Sequence, residues 1–220
     1  MTVSSSSSTS SGSVQFVGKD VSPLCSLQSA RRLIVTGSLR NWLSRHFGSS
    51  DYIEEPSLKD LIWKPGVDTD ILVETHTRWR PETTELRPAV IIKPNAWQNI
   101  RRGIGNRRQG PSVDKYGQEK FVTFWAGSHT LFCIGGTGSH AELLGFEVQR
   151  ELTEFGNKIA NSLGMLRFEV TQIGAPAILE EAQENFVVPV TVGYYCEERW
   201  AVRQNAPLLS GISLSMILDC

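Results

Sequence analysis

Residues 139–200 constrain the fold of this chain most, because a long amphipathic segment is followed there by two segments of alternating polarity. Ser139 and Glu142 form the capping-box pattern that opens many helices, and Gly164 is a typical helix-ending residue. These signals predict one helix over about 139–163. Its apolar residues recur at spacings of three and four and so form one stripe: Leu144, Val148, Leu152, Phe155, Ile159 and Leu163.

The remaining pattern is dominated by strands. Alternation predicts one strand near 166–171 and another near 186–194, on either side of a turn at 174–176. Gly127-Ser128 predicts a hairpin between two further strands. The strands predicted upstream of the long helix are 71–75, 89–92, 121–125 and 130–134.

A shorter helix is predicted in the N-terminal part of the chain. Ser38 is a suitable N-cap and Gly48 a suitable end, and Gly37 is expected to interrupt an earlier helical turn. One face of this helix carries Leu39, Trp42, Leu43, His46 and Phe47. The expected fold class is therefore α+β, with a mainly antiparallel sheet on which the long helix at about 139–163 and the shorter N-terminal helix pack.

The 220 residues suffice for one well-buried core and are few for two domains. We expect a Ser-rich N-terminal arm at 1–13, one α+β domain at 14–202 with a basic loop insertion at about 93–120, and a C-terminal extension at 203–220. The arm is too polar to fold alone, so it is either a flexible tail or a segment that neighbouring subunits order. In the C-terminal extension Leu214, Met216 and Leu218 occupy alternate positions, which favours an extra edge strand or an arm added to a neighbour's sheet.

Charge and composition exclude several classes of protein. The formal net charge of −1 argues against a general nucleic-acid binder, which usually carries a marked basic excess. The four cysteines include no Cys-x-x-Cys pair and are expected to be reduced. The first residues lack the pattern of a signal peptide, and no apolar run is long enough to span a membrane.

Catalytic and ligand-binding motifs are incomplete. The turn at 135–139 lacks the lysine of a Walker loop and the third glycine of a dinucleotide fingerprint. His129, Cys133 and His140 lack a partner that would complete a metal-ligand set. The adjacent glutamates at 180–181 and 197–198 are typical of solvated surface. We therefore expect no enzymatic activity, no cofactor and no metal.

A basic glycine-rich loop and three tryptophans are the candidate interaction residues. The loop arginines could be solvated, could pair with carboxylates of another subunit or could contact DNA phosphates; they are Arg101, Arg102, Arg107 and Arg108. Tryptophans near prolines in irregular stretches are typical interface anchors, and here these are Trp63, Trp79 and Trp97.

Two stretches resemble head–tail joining proteins of tailed bacteriophages, particularly the tail-terminator type. One runs from Leu144-Gly-Phe-Glu-Val148 through Asn-Phe186-Val-Val-Pro-Val190 to Tyr195-Cys-Glu-Glu-Arg-Trp200. The other is Arg40-Asn-Trp42-Leu43 with the irregular stretch and strand that follow. The likeness covers about two thirds of the chain. The Ser-rich leader and the insertion at 93–120 depart from the compact family pattern.

The resemblance implies a structural protein of the phage neck, found in the virion and assembled in the host cytoplasm. Members of this type form rings, commonly of six subunits, that cap the tail tube and join the tail to the head. The implied partners are other copies of the chain, the tail tube protein and a head-side connector protein, with non-specific contact to packaged DNA also open. Pro189 fits this interpretation as a residue of an edge strand.

Other virion components share the same features. A head–tail stopper or connector, a sheath, a baseplate protein and a capsid-decorating protein all stay open as alternatives. A nucleic-acid-binding module would rest on the arginine loop alone.

Overall fold

The computed structural model describes residues 15–17, 32–66, 68–80, 88–101, 118–179 and 185–203. Within them the chain is a mixed α+β structure with three helices and a mainly antiparallel sheet. The helices are α1 (Arg32–His46), α2 (Gly138–Glu154) and α3 (Gly156–Leu163), with a 3₁₀ turn at Pro56–Leu58. The strands are β1 (Gln15–Val17), β2 (Leu72–Thr75), β3 (Ala89–Pro94), β4 (Gln98–Ile100), β5 (Gln118–Gly135), β6 (Arg167–Ile173), β7 (Ala177–Ile178) and β8 (Phe186–Arg203).

Two strands of 18 residues each, β5 and β8, form the centre of the sheet. They pair antiparallel along their full length, from Gln118 opposite Arg203 to Gly135 opposite Phe186. The path through the sheet is β1-β8-β5-β3-β2, while β4 pairs with β5, and β6 and β7 pair with β8. Only β2 and β3 run parallel among the described strands.

The helices bury their apolar faces against one face of this sheet. α1 contacts β2 and β3, α2 contacts β5, β6 and β8, and α3 contacts β6. The main core joins Leu39 and Leu43 of α1 to Leu144 and Val148 of α2. The strand residues in the same core include Val90, Ile92, Leu131, Cys133, Val188, Val190 and Val192.

The opposite face of the sheet holds a smaller apolar cluster. Ala89, Ile91 and Ile134 are fully buried there, with Trp79 and Leu179 packed against them. Trp79 follows β2 and Leu179 follows β7, so the segments after these two strands contribute side chains that cover the second face.

The helix predicted at 139–163 is divided into α2 and α3. Phe155 is the boundary residue, with φ −98° and ψ 9°, and Gly156 follows it at a buried position facing Phe168. Glycine weakens a helix interior, which favours a break at this point. The N-terminal cap lies two residues earlier than predicted, since Thr137 rather than Ser139 accepts the backbone N–H of His140, at 3.2 Å. Gly164 ends α3 with φ 64°, as predicted.

The hairpin predicted at Gly127-Ser128 is wrong. Both residues lie inside the continuous strand β5, opposite Tyr194 and Gly193 of β8. The interruption predicted at Gly37 is also wrong, because α1 continues through it from Arg32 to His46.

Pro189 does not lie on an edge strand, since β8 has β5 on one side and β6 and β7 on the other. Its carbonyl accepts the N–H of Gly174 at 2.7 Å, in the gap between the end of β6 and the start of β7. The missing N–H of proline therefore falls where the neighbouring ladder is already broken.

The predicted arms at 1–13 and 203–220 lie outside the described residues, apart from Arg203, and so does most of the insertion at 93–120.

Candidate interaction surfaces

A cleft of about 360 Å³ opens between α1 and the ends of the parallel strands β2 and β3. Thr36, Gly37 and Arg40 form the α1 wall, and the segment at 74–78 forms the opposite wall. Ile92 and Pro94 of β3, together with Leu33 at the start of α1, supply apolar surface. The cleft thus combines one polar wall with an apolar base.

The charges at the cleft are mainly positive. Arg40 Nη2 donates to Glu74 Oε2 at 3.2 Å, and Arg40 Nε lies 3.2 Å from Glu74 Oε1. Glu74 Oε1 also accepts the backbone N–H of Thr75 at 2.9 Å. His76 and Arg78 are exposed on the same wall. The cleft lining therefore contains one carboxylate, two guanidinium groups and an imidazole.

Behind the cleft, a buried chain of hydrogen bonds fixes α1 to the sheet. Trp97 Nε1 donates to the Tyr194 hydroxyl at 3.1 Å, and that hydroxyl lies 3.2 Å from His129 Nδ1. His129 Nε2 lies 2.9 Å from Thr36 Oγ1, which itself donates to the carbonyl of Arg32 at 2.6 Å. Each group has a matching partner if Tyr194 donates to Nδ1 and the imidazole proton is on Nε2.

The pKa values of the residues in this hydrogen-bonded series agree with a neutral His129 imidazole. Burial lowers the pKa of His129 to about 4, and burial also raises the pKa of Tyr194. His129 is fully buried and uses both ring nitrogens within the subunit. These residues therefore position the cleft and hold no free group for a ligand.

A second buried polar cluster joins α1 to α2. His46 Nε2 lies 2.9 Å from Glu147 Oε1, and His46 Nδ1 lies 3.1 Å from Glu151 Oε2. Trp42 Nε1 donates to Glu151 Oε1 at 2.6 Å, and Arg150 Nη2 donates to both carboxylate oxygens of Glu147 at 2.9 Å. The cluster clamps two helices that are about a hundred residues apart in the chain.

The pKa values of this cluster are shifted in opposite directions. Burial alone would lower the pKa of His46, but hydrogen bonds to Glu147 and Glu151 outweigh it and raise the pKa to about 9. Burial likewise opposes ionisation of Glu147, yet the His46 hydrogen bond, the Glu54 backbone N–H and Arg150 together lower its pKa. The imidazolium and the carboxylate are thus both charged at neutral pH.

The outer face of α2 carries an exposed aromatic residue. Phe146 is 50 % exposed and lines a depression of about 250 Å³ with Leu143, Glu55 and Arg150. Arg150 also contacts Glu54 at 2.6 Å. This surface combines apolar and charged side chains, a mixture that is common at contact sites.

The three predicted tryptophan anchors are each partly buried in their own subunit. Trp63 packs against the main core, and its backbone N–H donates to the Phe47 carbonyl at 2.8 Å. Trp79 packs against the second-face cluster, and Trp97 against the main core. Their role at an interface stays a prediction.

The four loop arginines are only partly described. Arg101 follows β4 and is exposed. Arg102, Arg107 and Arg108 lie outside the described residues, so the contacts of the loop stay a prediction.

The other sequence candidates are scattered in the structure. His129 and Cys133 are buried on one face of β5, and His140 lies at the start of α2. Across the described ranges, no group of three or more His, Cys, Asp or Glu side chains could hold a metal ion. The expectation of solvated surface is wrong for Glu197, which is 6 % exposed. Glu198 accepts a hydrogen bond from Trp125 Nε1 at 3.0 Å, and the pair at 180–181 lies outside the described residues.

No protein-family model matches the chain, and a search of curated proteins finds no match. None of the helices in the described part of the chain has the length and hydrophobicity needed to span a bilayer.

Sequence reasoning missed both the cleft and the His46–Glu147 cluster. The stripe of α1 included His46, but its carboxylate partners are contributed by α2. Glu147 follows the buried Leu144 by three residues, a helical spacing that places it on the core side and could have marked it as a buried acid.

Proposed function

We propose that this chain is a structural virion protein of a bacteriophage neck, in which a ring of subunits caps the tail tube and joins the tail to the head. The observation that carries the proposal is the resemblance of residues 144–200 to tail-terminator proteins. The described order is α2, α3, β6, β7 and β8, which contains the expected helix, strand and final strand, with the helix divided in two and the short strand β7 between β6 and β8.

The exposed surfaces support an assembling protein. A ring formed by rotation needs two different complementary patches on each subunit, because its contacts are heterologous. The chain offers two unlike surfaces of suitable composition. One is the cationic cleft beside Arg40, and the other is the depression at Phe146, which is lined by both apolar and charged side chains.

The two buried polar clusters suit a scaffold. His129 and His46 are both fully engaged by partners within the subunit. They fix α1 against β5 and against α2, which would keep both surfaces in a constant arrangement. A protein that docks between two rigid partners needs this constancy more than it needs an exposed reactive group.

Mass photometry and negative-stain imaging of the purified chain test the proposal. We expect one closed ring of about six subunits that does not lengthen as the protein concentration rises. A monomer at micromolar concentration would contradict the assembly. Open tubes or filaments would instead favour the sheath alternative, and symmetric rings that fail to bind isolated tails would favour a capsid-decorating or baseplate component.

A further inference from the structure

Gly37 occupies an unusual position in the middle of α1. A Cβ placed there would meet no atom within 4 Å. Glycine in a helix interior is less favourable than alanine, so a glycine with no neighbour to avoid reduces stability without a benefit inside the subunit. Gly37 lines the cleft between α1 and β2. The open space beside it is therefore available to something outside the described fold.

The cleft also selects the chemistry of its occupant. Leu33 lines the α1 end of the cleft and is 79 % exposed. Ile34, the next residue of α1, lies outside the cleft lining and is 44 % exposed, so the two side chains together leave apolar surface in water. Arg78 and His76 are exposed on the opposite wall. An occupant that satisfies both walls carries apolar side chains beside a carboxylate.

The chain itself contains such a segment after β8. Residues 207–219 carry one acidic residue, Asp219, and no basic residue, and they are otherwise mainly apolar or serine. Apolar residues precede the acid directly at 216–218. In an extended chain the alternate side chains at 212, 214, 216 and 218 would share one face.

The reach of this segment favours a neighbouring copy. β8 ends at Arg203, eleven residues beyond Val192, which lies opposite His129 at the back of the cleft. That separation is about 36 Å along the strand, whereas the sixteen residues from Arg203 to Asp219 span at most about 53 Å. Within one subunit, most of the length of residues 204–219 would be needed to reach from Arg203 back to the cleft, which would leave few residues to dock. A segment from an adjacent copy has no such limit.

We propose that residues 207–219 of a neighbouring copy dock in the cleft between α1 and β2, with apolar side chains beside Gly37 and Leu33 and Asp219 facing Arg78. This inference rests on the proposed assembly, because it needs a second copy of the chain. It adds the segment and the cleft through which adjacent copies are joined.

Cysteine cross-linking in the full chain tests the contact. Cys220 is adjacent to Asp219, while Cys133 and Cys196 are buried. The fourth cysteine, Cys25, is replaced by serine in every variant of this test, so that Cys220 is the native thiol whose cross-linking is measured. The variant Thr77→Cys places a second thiol on the cleft wall. Under mild oxidation we expect disulfide-linked dimers and larger species on a non-reducing gel, and we expect none when Cys220→Ser is added. Lys59→Cys, at an exposed position outside the cleft, is the matched control.

Two further variants report on the chemistry of the cleft. Gly37→Leu should fill the open space and lower the cross-linking yield of Thr77→Cys about tenfold, with an unchanged or higher Tm showing that the chain is folded. Arg78→Glu should lower it similarly, and adding Asp219→Arg should restore it.

Cross-linking that is absent, equal in the Lys59→Cys control or confined to single chains would overturn the inference. Mass photometry of the unaltered protein separates this failure from failure of the proposed function. A closed ring without the Thr77→Cys cross-link would leave the assembly in place and remove only this contact.

Discussion

At the scale of single residues, Gly127 shows how a sequence signal can have a different structural cause. The Gly-Ser pair predicted a turn, yet Gly127 lies within β5 where the Tyr194 ring and the Trp97 indole cross the strand. A Cβ there would lie 2.7 Å from Trp97 Nε1 and closer still to the Tyr194 ring. The glycine is needed for this close approach, which local sequence cannot reveal because Tyr194 is 67 residues away.

Gly127→Ala should therefore destabilise the fold by about 1–3 kcal/mol, as expected when atoms are added to a filled core. Urea unfolding followed by tryptophan fluorescence measures the change. Gly136→Ala is the control, because a Cβ at Gly136 would meet no atom within 4 Å. Equal stability of the two variants would contradict the assigned role of Gly127.

His46 makes the stability of the chain dependent on pH. Its pKa is about 9 in the folded state against 6.5 for a free histidine side chain, so the folded chain binds more protons than the unfolded chain between these two pH values. The stabilisation is fully present below about pH 6.5 and is lost as the pH rises through 9. The difference between the two pKa values corresponds to a change in the free energy of unfolding on the order of 3 kcal/mol.

The free energy of unfolding, measured by urea titration at several pH values, should fall between pH 6.5 and 9 in the unaltered chain. His46→Gln removes the titrating group and should flatten this dependence, although it also lowers stability at neutral pH. Parallel pH profiles for the two proteins would show that His46 is not the group responsible.

At the scale of elements, the apolar stripe predicted most of the helix positions but not the break between α2 and α3. Leu144, Val148 and Leu152 are fully buried, and Ile159 is 3 % exposed, as the stripe requires. Phe155 is 37 % exposed and instead contacts the Trp42 ring, with centroids 5.6 Å apart. Periodicity assigns residues to one face of a continuous helix. A break at a single residue changes the direction in which that residue and those after it point, and periodicity does not reveal the break.

This difference separates two substitutions that the sequence alone would treat alike. Leu152→Ala should cost about 2–5 kcal/mol, because it leaves a cavity in the main core. Phe155→Ala should cost clearly less, since its ring is partly in solvent and mainly covers Trp42. Thermal unfolding of both variants compares them directly, and a larger loss for Phe155→Ala would place that ring in the core.

For the sheet, the sequence predicted only that it is mainly antiparallel, and not the order or register of its strands. Alternation located β2, β3, β6 and the first half of β8, but it did not show that β5 and β8 pair over 18 residues each. Nor could local signals show that Pro189 occupies a gap in a neighbouring ladder, because that gap is created by residues on β6 and β7. Long-range pairing depends on contacts that a single sequence does not display.

At the scale of the whole molecule, the candidate surfaces were the least predictable features. The cleft requires α1, β2 and β3 together, and its polar wall joins the end of β2 to the turn that follows it, which has no periodic signal. The tryptophans were visible in the sequence, but their partial burial within the subunit was not. What the sequence did show was the kind of residue available for contact, above all the arginine loop.

The loop that begins at Arg101 provides a test of what the proposed ring contacts. Four arginines in a glycine-rich stretch exceed what a connecting loop requires, and a guanidinium fork suits bidentate carboxylates better than sliding DNA. We therefore expect protein contact. Replacing all four arginines with alanine should impair ring formation or docking, and added salt should reproduce part of the loss by screening.

A matched variant with four lysines distinguishes the two partners. Lysine keeps the positive charge but lacks the planar fork, so contact with phosphates should persist while bidentate contact with carboxylates should weaken. For carboxylate partners, both variants should shift the assembled fraction seen by mass photometry. For DNA phosphates, rings should form in both, and only the alanine variant should lose packaged DNA. An alanine variant that assembles, docks and retains DNA normally would mean that the loop is solvated surface, because removing four positive charges from any contact must change one of these three measurements.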